Sequence, residues 1–135
     1  MDLDNTSDGR LYKYIKEEFE FEVYLNINNS SLRIATSKIR LSSHLFLIER
    51  GRWGRNRLQR EERKCVVCGT IEDEFHVLVE CGRFSNERKG CLTAELKRRR
   101  SMFEFINFFK NKNETIQRKL ALLCLRTQKK YKDLM

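Results

Sequence analysis

Along most of this chain apolar residues return every three to four positions between runs of Lys, Arg and Glu, the pattern of amphipathic helices. Leu11, Ile15 and Phe19 stand four apart and predict a first helix over residues 9–24. The alternation Phe19-Glu20-Phe21-Glu22-Val23 fits a short strand as well, so the end of that helix stays open. Residues 26–31 are polar and turn-like, with Ser30 or Ser31 as the N-cap of a second helix. Its apolar face is Leu32, Ala35 and Ile39, and Arg33, Lys38 and Arg40 lie mostly on the other side. A short apolar stretch, residues 45–48, follows Ser42, Ser43 and an isolated His44.

Beyond Cys81 the pattern is helical again. Gly82 is expected to stop one helix, and another is expected over residues 85–99. Ser101 and Glu104 have capping-box spacing ahead of Met102, Phe105, Ile106 and Phe109, a stripe at helical spacing. Asn111, Lys112 and Asn113 read as a turn, and a last helix from about Glu114 buries Ile116, Leu120, Leu123 and Cys124. The expected fold is mainly α, a small helical domain organised around one Cys-Cys-His-Cys zinc knuckle. It divides into a helical segment (9–49), a basic strap with the knuckle (50–83) and C-terminal helices (84–135), all in one compact unit.

Charge narrows the function. The chain's 135 residues include 28 Lys and Arg against 19 Asp and Glu, a net charge of +9, which favours an anionic partner such as RNA or DNA. The densest basic segment carries Arg50, Arg52, Arg55, Arg57, Arg60, Arg63 and Lys64, with Trp53 among them. Gly51 and Gly54 break any helix there, so an extended or looped strap is expected, its arginines on phosphates and Trp53 stacking on an unpaired base. The competing reading of Trp53 is a hydrophobic anchor that pins the strap to the helices. No run approaches the roughly 20 apolar residues of a membrane span and no signal-peptide pattern opens the chain, so an intracellular site, nuclear or cytoplasmic, is expected.

Five cysteines in such a chain point to metal ligands or reduced core thiols. Cys65 and Cys68 form a C-x2-C pair, His76 follows after seven residues and Cys81 after four more. Zinc takes tetrahedral sulfur and nitrogen ligands, and a tight two-cysteine turn plus a returning element supplies four, for one zinc per chain. Gly69 lets the backbone turn, Thr70 with Asp73 has capping-box spacing, and Glu72, Asp73 and Glu74 load the first turn of a helix that carries His76. Positions five apart on a regular helix lie about 140° apart, so Cys81 is expected where that helix ends. A dithiol redox role for Cys65 and Cys68 would leave His76 and Cys81 unexplained and lacks a surrounding βαβ pattern. Cys91 and Cys124 read as core thiols.

Several strings occur here in one order: Arg40-Leu41-Ser42-Ser43-His44, Ile48-Glu49-Arg50-Gly51-Arg52, Arg60-Glu61-Glu62-Arg63, the C-x2-C pair, Glu72-Asp73-Glu74-Phe75-His76, and Cys81. Together, over roughly residues 11–88, they resemble the C-terminal zinc-binding region of reverse transcriptases from non-LTR (LINE-type) retrotransposons. The resemblance implies a domain that follows the polymerase and engages template RNA or target DNA, with Cys65, Cys68, His76 and Cys81 as zinc ligands. The family often has Pro after the last cysteine, where this chain has Gly82. Paired-aspartate polymerase and endonuclease motifs are lacking, so no catalysis is expected of this chain alone. The leading expectation is nucleic-acid binding, with a retroelement polymerase or another protein as a possible partner. The alternative is a structural zinc module that mediates protein–protein interaction. Four protein ligands make a closed metal site, which argues against an enzyme.

Overall fold

The computed structural model describes residue 11 and residues 26–135. The helix or strand expected over residues 9–24 lies outside the described residues except for Leu11, which is wholly buried in the core. The architecture is mainly helical, as expected. Helices α1 (Ser30–Arg40), α2 (Leu47–Arg50), α3 (Ser85–Arg88), α4 (Ala94–Arg98), α5 (Met102–Lys110) and α6 (Glu114–Leu134) follow in order, with a long connection between α2 and α3 and short ones elsewhere. Among the described residues there is no strand, only one antiparallel bridge between Lys64 and Ile71. No described helix is long and apolar enough to cross a membrane.

The spine is α6. Asn113 caps it, its side chain accepting from the Ile116 amide at 3.1 Å. Leu120, Leu123, Cys124, Thr127 and Tyr131 share its buried face. Its most extensive packing is against α1, which buries Leu32, Ala35, Thr36 and Ile39. Asn29 caps α1, donated to by the Leu32 amide at 3.1 Å, one residue ahead of the serines expected in that role. Phe105, Ile106, Phe108 and Phe109 of α5 fill the same core, and Ser101 caps that helix through the Glu104 amide.

Arg40 does not lie on the polar face of α1. It is buried, its guanidinium 5.3 Å from the centre of the Phe109 ring, and it donates to the Phe109 carbonyl at 2.7 Å and to Gln117 Oε1 at 3.2 Å. Gln117 in turn donates to the carbonyls of Phe108 and Asn111. The two side chains satisfy carbonyls that the end of α5 leaves open, which is why polar groups enter this core.

The helix expected over residues 85–99 is two short ones. Gly90 has φ +74, a left-handed conformation that ends the helical path between α3 and α4. Gly82 does not act as a stop. It opens a 3-10 turn (Gly82–Phe84), and the preceding element ends at Cys81, whose backbone is already extended (φ −65, ψ 126).

Candidate metal centre

Residues 63–72 form a tight hairpin. The Cys65 amide donates to the Thr70 carbonyl (2.7 Å), the Glu72 amide to Arg63 (2.9 Å), and the Gly69 amide to Cys65 (2.9 Å). Gly69 sits at φ +76, the left-handed turn expected of it. The Cys68 amide points at the Cys65 sulfur, 3.4 Å away. The chain then enters a short helix at Glu74. Asp73 caps it through the His76 amide at 2.9 Å, the role that the spacing had suggested for Thr70. Over His76–Glu80 that helix widens to a π turn, and the Cys81 amide donates to the His76 carbonyl at 2.7 Å. A bond across five residues replaces the usual four and brings both ends of the turn to one side.

The result is a cluster in which the ligand atoms of Cys65, Cys68, His76 and Cys81 all lie within 4.8 Å of one another. Cys81 Sγ is 4.0 Å from Cys65 Sγ and 3.9 Å from Cys68 Sγ. Sulfurs in a disulfide are about 2.05 Å apart. Two sulfurs about 2.3 Å from one tetrahedral ion are about 3.8 Å apart, close to the spacing seen. The imidazole fits the same purpose. Nδ1 of His76 is 3.1 Å from the Thr70 hydroxyl and 3.4 Å from Glu80 Oε1, while Nε2 is buried with no hydrogen-bond partner. A metal-bound histidine characteristically gives its second ring nitrogen to such a partner, which here leaves Nε2 for the ion. These four residues can hold a metal ion.

The surroundings favour thiolate at Cys81. Burial pushes the Cys81 thiol up, but the Arg83 guanidinium, whose Nε donates to Cys81 Sγ at 3.2 Å, outweighs it and holds the thiol below its ordinary range. Cys68 is pushed up, by desolvation and then by hydrogen bonds to Cys65 and Cys81, a crowding of sulfurs that a cation would relieve. Arg88 is buried behind the π turn and donates to the carbonyls of Leu78 (2.9 Å), Val77 (3.1 Å) and Cys81 (2.8 Å). Cys81 is thus held through its amide, its sulfur and its carbonyl.

The acidic string ahead of His76 does more than load a helix end. Glu72 is buried and accepts from the Leu47 amide (2.8 Å), Arg83 (2.8 Å) and the Tyr131 hydroxyl, tying the hairpin to α2 and α6. His44, isolated in sequence, is buried against Glu74, with Nε2 2.5 Å from Glu74 Oε2. The Phe46 amide donates to His44 Nδ1 at 3.1 Å, so Nε2 carries the proton toward the carboxylate. Thr70, expected as a helix cap, instead sets its hydroxyl beside His76 Nδ1, and nothing in the sequence marked out Arg83, Arg88 or Tyr131 as part of the site. Only Arg83, two residues beyond the last cysteine, gave any local hint. Cys91 and Cys124 are buried free thiols away from the cluster, as expected.

The strap divides. Arg50 ends α2, and its side chain donates to the Leu45 carbonyl (3.1 Å) and the Tyr131 hydroxyl (3.0 Å). Arg63 is buried and donates to Ile48 and Leu58 carbonyls. Arg60 lies in a 3-10 turn (Arg60–Glu62), and Lys64 is exposed beside the hairpin bridge. Arg55 and Arg57 are exposed and Arg52 is half-buried. Trp53 is 65% exposed, so it does not anchor the strap in the core. Comparison of the chain with protein-family models, with curated proteins and with solved structures gives no match.

Proposed function

We propose that this chain is a zinc-organised, non-catalytic module that binds nucleic acid, of the kind that follows the polymerase in LINE-type reverse transcriptases. The observation that carries the zinc reading is the quartet itself: three sulfurs and a buried imidazole nitrogen otherwise without a partner, all within 4.8 Å of one another. Three thiolates and one imidazole are a soft donor set suited to zinc, and four protein ligands leave no position for a reacting water. With three thiolates the bound site would carry one net negative charge, which Arg83 offsets from 3.2 Å. The order of the motif strings around the quartet supports the family reading.

Nucleic-acid binding rests on the net charge of +9 and on the exposed guanidiniums of Arg55 and Arg57 beside Arg52 and Trp53. Lysines and arginines that replace counterions on phosphates give an affinity that falls linearly with log salt, with a slope of roughly 0.7 to 0.9 per contact. Titrating the zinc-loaded chain with labelled RNA and DNA at several salt concentrations tests this. Binding that weakens steeply with salt is expected. Salt-independent binding, or none, would return the chain to the protein-interaction reading.

A further inference from the structure

Residues 51–58 leave α2 and return to it as a closed loop, the Leu58 amide donating to the Gly51 carbonyl at 2.8 Å. Arg63 holds the loop from inside. Its Nη2 and Nε reach the Leu58 carbonyl at 2.9 and 3.1 Å, and its Nη1 reaches the Ile48 carbonyl at 3.1 Å. Gly51 makes room for this arrangement, since a Cβ there would stand 2.9 Å from Arg63 Cγ and 2.8 Å from the Leu47 carbonyl oxygen. The loop is therefore set in shape before any ligand arrives, which lowers the ordering cost of binding.

Two features of this loop call for different parts of one ligand. Arg52, Arg55, Arg57, Leu58, Gln59 and Arg63 line a concavity of about 590 Å³ with no carboxylate among them. That size is within the roughly 300–1,000 Å³ of small-ligand sites, and the lining suits an anion. Burial lowers the Arg63 pKa first, and Arg52 lowers it further against the opposing pull of Glu49. Beside the arginines stands Trp53, exposed over 65% of its surface, with the Arg52 guanidinium 5.9 Å from its ring centre. An exposed indole with a guanidinium beside it is a platform for a flat, uncharged ring.

We propose that the loop over residues 51–58 is a site for unpaired nucleotides, taking a base on the Trp53 indole and the adjoining phosphate among Arg52, Arg55 and Arg57, so that the chain selects single-stranded over duplex nucleic acid. The inference rests on the nucleic-acid reading above and adds to it the strandedness of the ligand and the residues that sense it. A duplex keeps its base faces stacked on one another, so it offers this loop phosphates but no base for Trp53.

Trp53 is the chain's one tryptophan, so its fluorescence reports the site directly. The full zinc-loaded chain is titrated with one 20-nucleotide DNA as a single strand, the RNA of the same sequence, and the DNA as a duplex. Both single strands should quench the indole, and the duplex should bind with little change in emission. Trp53→Ala should weaken the single strands by roughly 5- to 150-fold and the duplex by less than twofold, with Trp53→Phe recovering part of the loss. Unchanged melting of Trp53→Ala would confirm that the loss is not one of folding. Equal weakening of single strand and duplex, or no quenching on binding a single strand, would overturn the inference while leaving nucleic-acid binding intact. Failure of the wild-type chain to bind any of the three would overturn the underlying reading as well.

Discussion

The amide of Cys81 donates to the carbonyl of His76 at 2.7 Å, closing a turn of five residues that regular helices do not use. His76 and Cys81, five positions apart, would lie about 140° apart around a regular α-helix, and the π turn removes the difficulty without a break in the chain. Such turns are rare, so something must hold this one. Arg88 does so from the core side by binding three of its carbonyls, and Asp73 does so at its start.

Removing Arg88 should therefore loosen the metal site from a distance. Arg88→Met leaves the carbonyls of Val77, Leu78 and Cys81 without that donor in a buried place, and should cost about 2–5 kcal/mol by chemical denaturation. Arg88→Lys should recover little, because an ammonium cannot reproduce the planar fork. A competition titration with a chelator should show weaker metal retention in both variants. Wild-type stability in Arg88→Met would remove the guanidinium from the account.

Glu72 and Tyr131 should prove energetically coupled. The carboxylate takes bonds from Leu47, Arg83 and Tyr131, and stripping it away leaves Arg83 and the hydroxyl without that partner. Glu72→Ala should cost about 3–5 kcal/mol and Tyr131→Phe about 1–2 kcal/mol. In the Glu72→Ala background Tyr131→Phe should cost less than in the wild type, with only the Arg50 bond to the hydroxyl left to lose, a coupling that a double-mutant cycle measures directly. Additive effects would mean that the hydroxyl and the carboxylate act separately.

The metal quartet was legible in the sequence because ligand spacing is a local property: two cysteines in a tight turn, then a histidine and a cysteine on a returning element. The π turn was not, since periodicity arguments assume 3.6 residues per turn. Polar residues that point inward were the other blind spot. Arg40, Arg63 and Arg88 look like surface charges by composition, yet each closes carbonyls left open by a helix or loop end, and those ends are known only from the fold. His44 looked isolated because its partner Glu74 is thirty positions away. Within the segment from Cys65 to Cys81, Val77, Leu78 and Val79 are wholly buried in the common core. The division between α3 and α4 turned on one left-handed glycine, Gly90, inside an otherwise helical pattern.

That last burial reshapes what chelation should do. Residues 64–71 keep Val66, Val67, Cys68 and Thr70 exposed, with only Cys65 buried and Ile71 half-buried, so a bound metal would be their main tertiary tie. Structural zinc is worth roughly 10–16 kcal/mol in apparent terms, enough to decide whether such a hairpin forms. Hydrogen exchange after chelation should accelerate across residues 64–71 while the amides of α5 and α6 stay protected. Equal protection of the hairpin with and without metal would show that something else holds it.

Alkaline pH should destabilise the chain before it unfolds by other routes. Burial raises the Cys124 thiol to about 12, and burial likewise raises the Tyr131 phenol to about 12, with Arg50 opposing and Glu72 adding to it. Both groups keep their protons longer folded than unfolded. Their contribution is complete below the unfolded pKa values, near 9 for the thiol and 10 for the phenol, and is lost as pH rises toward the folded values. Denaturation from pH 8 to 11 should show falling stability, with a shallower fall between about pH 9 and 10 in Cys124→Ala than in the wild type. Parallel curves would mean that Cys124 ionises as readily folded as unfolded.

Native mass spectrometry on the purified chain, before and after chelation, measures the claim on which the rest depends: that Cys65, Cys68, His76 and Cys81 together hold one zinc ion. The account predicts a single zinc per chain, released by a strong chelator and absent from Cys65→Ser and His76→Ala, but fully retained in Cys91→Ala and Cys124→Ala. A folded wild-type chain carrying no metal after expression and purification with zinc, or zinc retained when two of the four ligands have been replaced, would contradict it.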